Sequence, residues 1–271
     1  MSECNHNCAS CSANCEQRDL KIKANQDSHI KKIIGVVSSK GGVGKSLVTS
    51  LLAASAAKAG YKTAILDADI TGPSIPQAFN LNGFLTGDGT NIAPAETKSG
   101  IKVVSTNLIL ADKGEPVLWR GPIIASLVKQ FYSEVIWGDI DYMFVDMPPG
   151  TGDVALTVFQ SLPIDGIIVV STPQQLVSMI VEKALRMANM MNIKVYGIIE
   201  NMSYITCDNC GNKVSLFGKD NIELLAKRFN LDILAQLPLD PNLTSVIDKG
   251  QVEEYQCEEI DQLIQKFDEL L

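Results

Sequence analysis

Three groups of residues have types and spacings suited to chemistry. The first is Ser39-Lys40-Gly41-Gly42-Val43-Gly44-Lys45-Ser46. Glycines let successive backbone N–H groups curl around phosphate oxygens, and a helix starting there adds a partial positive charge. Lys45 then reaches the β- and γ-phosphates of a nucleotide, and the Ser46 hydroxyl sits on Mg²⁺. Loops of this kind usually open with glycine. Ser39 takes that place here and fits at negative φ, while Gly41, Gly42, Val43 and Gly44 supply the cradle.

The second group is acidic. Asp67-Ala68-Asp69 and Phe144-Val145-Asp146 each close an apolar run. A carboxylate at the C-terminal edge of a strand beside a phosphate loop can orient water or Mg²⁺. Asp146 is placed to hold Mg²⁺ through water, and Asp67 to support the site. The turn Pro148-Pro149-Gly150-Thr151-Gly152 is stiff at its prolines and free at its glycines. Asp153 after it reads as a helix cap.

The third group is thiols. Cys207-Asp208-Asn209-Cys210-Gly211 is a tight knuckle that aims two sulfurs at one metal. Tetrahedral thiolate sites, zinc or iron–sulfur, need four ligands. A symmetric dimer would supply the missing two. A zinc half-site and a redox dithiol are the alternatives, but a redox pair normally opens a helix and this one sits in a polar loop. Cys4, Cys8, Cys11 and Cys15 form a second set, with an iron–sulfur centre, zinc and an unligated thiol tail all open. His6 reads as exposed and the lone Cys257 as packing.

Strands and helices must alternate to place these residues. Residues 33–37, 62–66, 102–105, 142–145, 166–170, 195–199 and 233–237 are short apolar runs that predict strands. Residues 47–58, 122–135, 154–160, 174–190, 222–229 and 259–270 have helical patterns. This alternation predicts an α/β fold with a doubly wound, mostly parallel sheet and helices on both faces. Residues 81–100 form the longest expected loop. Residues 1–30 are expected as a cysteine-rich, metal-binding tail and 31–271 as one domain. Met187, Met190 and Met191 are expected in the core. The apolar stripe Ile260, Leu263, Ile264, Phe267 and Leu271 is expected to pack on the domain, because its acidic flank opposes an anionic membrane.

The chain has 271 residues, 46% apolar and 20% charged, which excludes disorder. Its net charge of −8 argues against general binding of nucleic acid or anionic membrane. No run approaches the ~18 apolar residues of a spanning helix. The start Met1-Ser2-Glu3-Cys4 lacks a basic region and an apolar stretch, so a cytoplasmic location is expected. Seven cysteines in clusters suit metal ligation better than a disulfide frame.

Lys40 beside Lys45 gives a Lys-Gly-Gly-Val-Gly-Lys-Ser loop that resembles the deviant Walker A loop of dimeric ATPases, including nitrogenase iron protein, MinD and ParA. The resemblance implies that Lys40 acts across a dimer interface, that Asp69 positions the attacking water, and that Asn201 in Glu200-Asn201-Met202-Ser203 meets the adenine ring. Gly72-Pro73-Ser74-Ile75-Pro76, Trp119-Arg120-Gly121-Pro122, Pro148-Pro149-Gly150-Thr151-Gly152-Asp153 and the Cys207/Cys210 pair are similar to the Mrp/ApbC/Nbp-type iron–sulfur cluster carrier ATPases. That resemblance covers residues 31–250. It implies a P-loop ATPase homodimer that assembles a [4Fe–4S] cluster on Cys207 and Cys210 of both subunits and passes it to apo-proteins. An ATP-dependent electron donor of the nitrogenase-iron-protein type, a partition ATPase and a zinc-stapled regulatory dimer are the rival functions.

Overall fold

The computed structural model describes residues 21–38, 40–70, 72–87, 91–109, 121–150, 152–173, 177–207, 209–215 and 221–270. Cys4, His6, Cys8, Cys11, Cys15, Ser39, Thr71, Trp119, Arg120, Thr151, Asp208, Leu271 and the helix residues expected at 174–176 lie outside them.

Ile33 to Ser38 are all buried. A strand covered on both faces must be apolar throughout, and this one is the centre of the sheet. In chain order the first elements are β1 (Ser28–Ser38), α1 (Lys45–Lys58), β2 (Thr63–Asp67) and α2 (Ile75–Ala78). Three short strands follow, β3 (Thr86–Gly87), β4 (Ile92–Ala93) and β5 (Ala95–Glu96), all inside the expected loop. Next come β6 (Lys102–Val104), α3 (Gly121–Ser133), β7 (Gly138–Asp146), α4 (Asp153–Ser161), β8 (Gly166–Ser171) and α5 (Val177–Met190). The last part holds β9 (Lys194–Thr206), β10 (Lys213–Val214), α6 (Asn221–Phe229), β11 (Ile233–Pro238), α7 (Pro241–Asp248), α8 (Glu258–Ile264) and α9 (Phe267–Leu270).

Among the described residues the main sheet runs β10-β9-β8-β1-β7-β2-β6-β5, with β11 also on β9. All its pairings are parallel except β5 on β6 and β10 on β9. Alternate residues of each central strand feed two cores. Ile33, Val145 and Ile167 pack under α3, α4, α5 and α6, and Ile34, Phe144 and Ile168 under α1, α2, α7 and α8. The expected doubly wound α/β fold is the one observed. Because the strands are parallel, the turns after β1, β2 and β7 gather at one edge, where such sheets bind ligands.

Several local expectations need correction. The domain reaches upstream of residue 31: Ile22 N–H donates to the Ser161 carbonyl, and Ile22 and Ala24 pack on the core. Met190 ends α5 at 87% exposure, outside the core where it was expected. Gly152 takes the N-cap position of α4, so Asp153 starts that helix instead of capping it. The single C-terminal helix is two, α8 and α9. The break swings Phe267 inward to 5.4 Å from Tyr142 and brings Asp268 onto the Tyr61 and Tyr142 hydroxyls at 3.0 and 2.7 Å. Ile260, Leu263, Ile264 and Phe267 are buried on the domain, as is Cys257.

Candidate nucleotide site and thiolate pair

The glycine loop joins β1 to α1. Gly42 and Gly44 sit at φ +80° and +84°, a left-handed backbone that glycine adopts without steric cost. Gly44 is also the N-cap of α1, so the first N–H groups of that helix face the loop. Lys40, Gly41, Gly42, Lys45, Ser46 and Asp69 line one cleft of about 330 Å³ with Ser74, Pro149 and Ile247. Val43 is buried at 1% exposure and anchors the loop below.

Lys45 is turned inward. Its Nζ lies 2.7 Å from Asp146 Oδ1 and 3.4 Å from Asp69 Oδ2. The Ser46 hydroxyl donates to Asp146 Oδ2 at 2.5 Å, and the Thr49 hydroxyl is 2.9 Å from Asp146 Oδ1. Asp146 is therefore ringed by one cation and two hydroxyls at the end of β7, with no exposure of its own. Burial raises its pKa, and Lys45, Ser46 and Thr49 pull it back. Asp67 stands opposite Asp146 in the β2–β7 register. It accepts from Ser105 Oγ at 2.8 Å and from the Asp69 N–H at 3.2 Å. Burial, then the neighbouring Asp146 charge, push its pKa well above the carboxylate range. Burial beside the Asp146 charge disfavours the ionised form of Asp67.

Sequence reasoning did not single out Thr49 or Ser105. Thr49 stands four residues after Lys45, one helical turn on, and that spacing was the available signal. Ser105 follows the apolar β6, and only the pairing of β6 with β2 brings it to Asp67. The loop after β7 is tied to the end of β1, just ahead of the phosphate loop, since Met147 N–H donates to the Val36 carbonyl and Gly150 N–H to the Ser38 carbonyl. Ser46, Asp146 and Asp69 offer hard oxygen donors, the chemistry Mg²⁺ requires. The glycine cradle and the helix start suit nucleotide phosphates, so these residues fit Mg·nucleotide.

Asn201 was expected at the adenine ring. In the structure it lies below the loop, 1% exposed, and its Nδ2 donates to the Val43 carbonyl at 3.0 Å. A Cβ on Gly44 would collide with that same Nδ2.

Cys207 and Cys210 sit in the turn between β9 and β10. The turn is closed by Cys207 N–H to the Asn212 carbonyl at 2.9 Å and Gly211 N–H to the Cys207 carbonyl at 2.8 Å. The Asn209 and Cys210 N–H groups point at the Cys207 sulfur and lower its thiol pKa. Backbone donors of this kind stabilise a thiolate and leave it ready for a metal. Cys210 is exposed and Cys207 partly so. Among the described residues no helix starts at this turn. Among the described residues no three Cys, His, Asp or Glu side chains stand together as a complete metal site.

The profile of the ParA family described as NUBPL iron-transfer P-loop NTPase matches residues 29–271. The chain belongs to this family. An iron-sulfur cluster carrier protein of Clostridium perfringens is 45% identical to the NTPase over 238 residues, 85% of this chain and 84% of that one. One from Methanocaldococcus jannaschii is 42% identical, over 92% and 90% of the two chains. The cytosolic Fe-S cluster assembly factor CFD1 of Saccharomyces cerevisiae is 36% identical over 86% and 82%. Among solved structures, a nucleotide-binding protein of Archaeoglobus fulgidus in complex with ADP is 42% identical, with a TM-score of 0.77 over 85% of this chain and 90% of that one. The Aquifex aeolicus cell division protein MinD, at 19% identity and a TM-score of 0.61, shares the fold. No described helix of the NTPase is long and apolar enough to cross a membrane.

Proposed function

We propose that the chain is a slow ATPase that assembles a [4Fe–4S] cluster and transfers it to apo-proteins. The observation that carries this reading is the Cys207/Cys210 knuckle, two thiols in a backbone-closed turn at the end of β9, the strand whose Asn201 contacts the phosphate loop. Two thiolates are half of a four-iron site, so two copies of the chain complete it around the cluster, which is cargo and not a resident group. The iron–sulfur carriers among the relatives support the same cargo.

Lys45 leaves Asp146 and Asp69 to meet the β- and γ-phosphates. Ser46, and Asp146 through water, would hold Mg²⁺, which when bound would neutralise charge on the phosphates. Asp69, released from Lys45, orients the attacking water. Lys40 lines the cleft and reaches the nucleotide of the second copy. Cys4, Cys8, Cys11 and Cys15 have the number of thiols for a separate four-ligand metal site. Reduced thiolates of this kind require a reducing compartment such as the cytosol.

The test is transfer itself. Reconstituted protein is mixed with an apo-enzyme whose activity needs a four-iron cluster, with and without MgATP. Activation of the apo-enzyme at the expense of the carrier's iron supports the reading. Electron transfer to an acceptor with the iron retained would replace it with the electron-donor function.

A further inference from the structure

β9 touches both sites of the molecule. Its first part pairs with β8 through residues 194–200, deep in the sheet. Its end pairs with β10 through Ile205 and Thr206, immediately before Cys207. Between the two it is irregular. On its β11 side Glu200 faces Gln236 but Tyr204 faces Pro238, so three residues of β9 stand against one of β11. Met202 lies in this bulge at φ +57°, left-handed and without glycine's freedom. Such a residue is strained and persists only where its surroundings fix it. Here they do. Ser203 Oγ donates to Glu200 Oε2 at 2.5 Å, and Gln236 Nε2 donates to the same oxygen at 2.9 Å, all within the fold's interior or its margin.

A bulge re-aims a side chain that a regular strand would hold elsewhere. The side chain re-aimed here is Asn201, which the bulge sets under the phosphate loop with its amide on the Val43 carbonyl. The loop's N–H groups serve phosphate from above, so the Asn201 bond holds the other side of the same peptides. A shift of the loop would bear on Asn201, and from there the strand runs on through the Met202 bulge to Cys207, six residues after Asn201.

We infer that Asn201 is a positioning residue that, with the Met202 bulge, transmits occupancy of the phosphate loop to the Cys207/Cys210 pair. This deepens the carrier function proposed above and rests on it. It makes the thiolate pair respond to nucleotide within one subunit, before any change between subunits.

The experiment is alkylation of the full-length, reduced, metal-free chain by iodoacetamide. Rates are read cysteine by cysteine by peptide mass spectrometry, with and without saturating MgADP. Allosteric couplings of ordinary size amount to about fivefold or more. We expect at least that change at Cys207 or Cys210 in the parent, and less than about twofold in Asn201→Ala with nucleotide bound. Buried Cys257 is the internal control. If Asn201→Ala fails to fold or to bind nucleotide, Met202→Gly decides. Glycine adopts the left-handed bulge freely, so the loop contact stays while the bulge softens, and the response should again fall below about twofold. No nucleotide response in the parent, or a full response in the deciding variant, overturns the inference. Failure of the carrier function itself looks different: iron binding would then be independent of Cys207 and Cys210.

Discussion

Lys45→Met separates what the buried lysine does for folding from what it does for the nucleotide. The Lys45 side chain is 5% exposed and Asp146 has no exposure, with 2.7 Å between Nζ and Oδ1. Removing one partner of such a pair leaves a buried charge without compensation and typically costs about 3–5 kcal/mol, whereas removing both is often neutral. For a chain of this size that is a drop in melting temperature on the order of 10 °C. Asp146 already has a raised pKa from burial, and losing Lys45 raises it further. A carboxyl whose folded pKa lies above its unfolded value, near 4, destabilises the fold when ionised and ceases to do so once protonated. The deficit of Lys45→Met against the parent is therefore largest at pH 8. It shrinks as pH falls through the raised pKa of Asp146, by about 1.4 kcal/mol per pH unit while that proton is taken up. The assay is urea unfolding of reduced, metal-free, nucleotide-free protein by tryptophan fluorescence in steps from pH 8 down towards the ordinary carboxylate range. The double variant Lys45→Met/Asp146→Asn should recover most of the loss. A deficit under about 1 kcal/mol at pH 8, a deficit that does not move with pH, or no recovery in the double variant would refute the reasoning.

Other perturbations follow from the same geometry. Gly44→Ala imposes a Cβ on a φ of +84° and on Asn201 Nδ2, so nucleotide affinity by calorimetry should fall at least about tenfold; unchanged affinity would mean the loop can take another shape. Phe267→Ala empties a fully buried site against Tyr142 and Phe144 and should lower stability by about 3–5 kcal/mol in urea, while ADP affinity stays within about threefold. If Lys40 acts in the second copy's site, as proposed, Lys40→Ala should leave ADP binding nearly intact and reduce steady-state ATP hydrolysis at least about tenfold. Equal losses of binding and hydrolysis would place Lys40 in its own subunit's site.

The phosphate loop and its carboxylates were legible because their chemistry is local. Gly42 and Gly44 are glycine for a backbone reason, and Asp67 and Asp146 stand at the ends of apolar runs that are buried strands. The Cys207 knuckle is local in the same sense, four residues closed by their own backbone. Asn201 was not legible. Its place under the loop depends on a register mismatch between residues 200–204 and 236–238, which no local pattern encodes, and on a left-handed Met202 where glycine would have been the signal. β9 was expected to stop at 199 because its apolar run stops there; the polar continuation is held by β11 and β10. β4 is too short to show a pattern and survives by a bridge from Ile92 to Val135. Helix α7 did carry a signal that went unread: Asp240 caps it by accepting from Asn242 N–H at 2.8 Å, and Pro241 opens it. The break between α8 and α9 comes from burying Phe267, a tertiary demand that the helical stripe does not show.

The proposed carrier function requires Cys207 and Cys210 to hold a transferable four-iron cluster between two copies of the chain. It is tested most directly by iron, labile sulfide and zinc per dimer after anaerobic reconstitution, in the parent and in Cys207→Ala/Cys210→Ala. The variant is expected to lose about four iron and four sulfide per dimer relative to the parent. Iron and sulfide unchanged by the variant, or zinc alone on the pair, would contradict it.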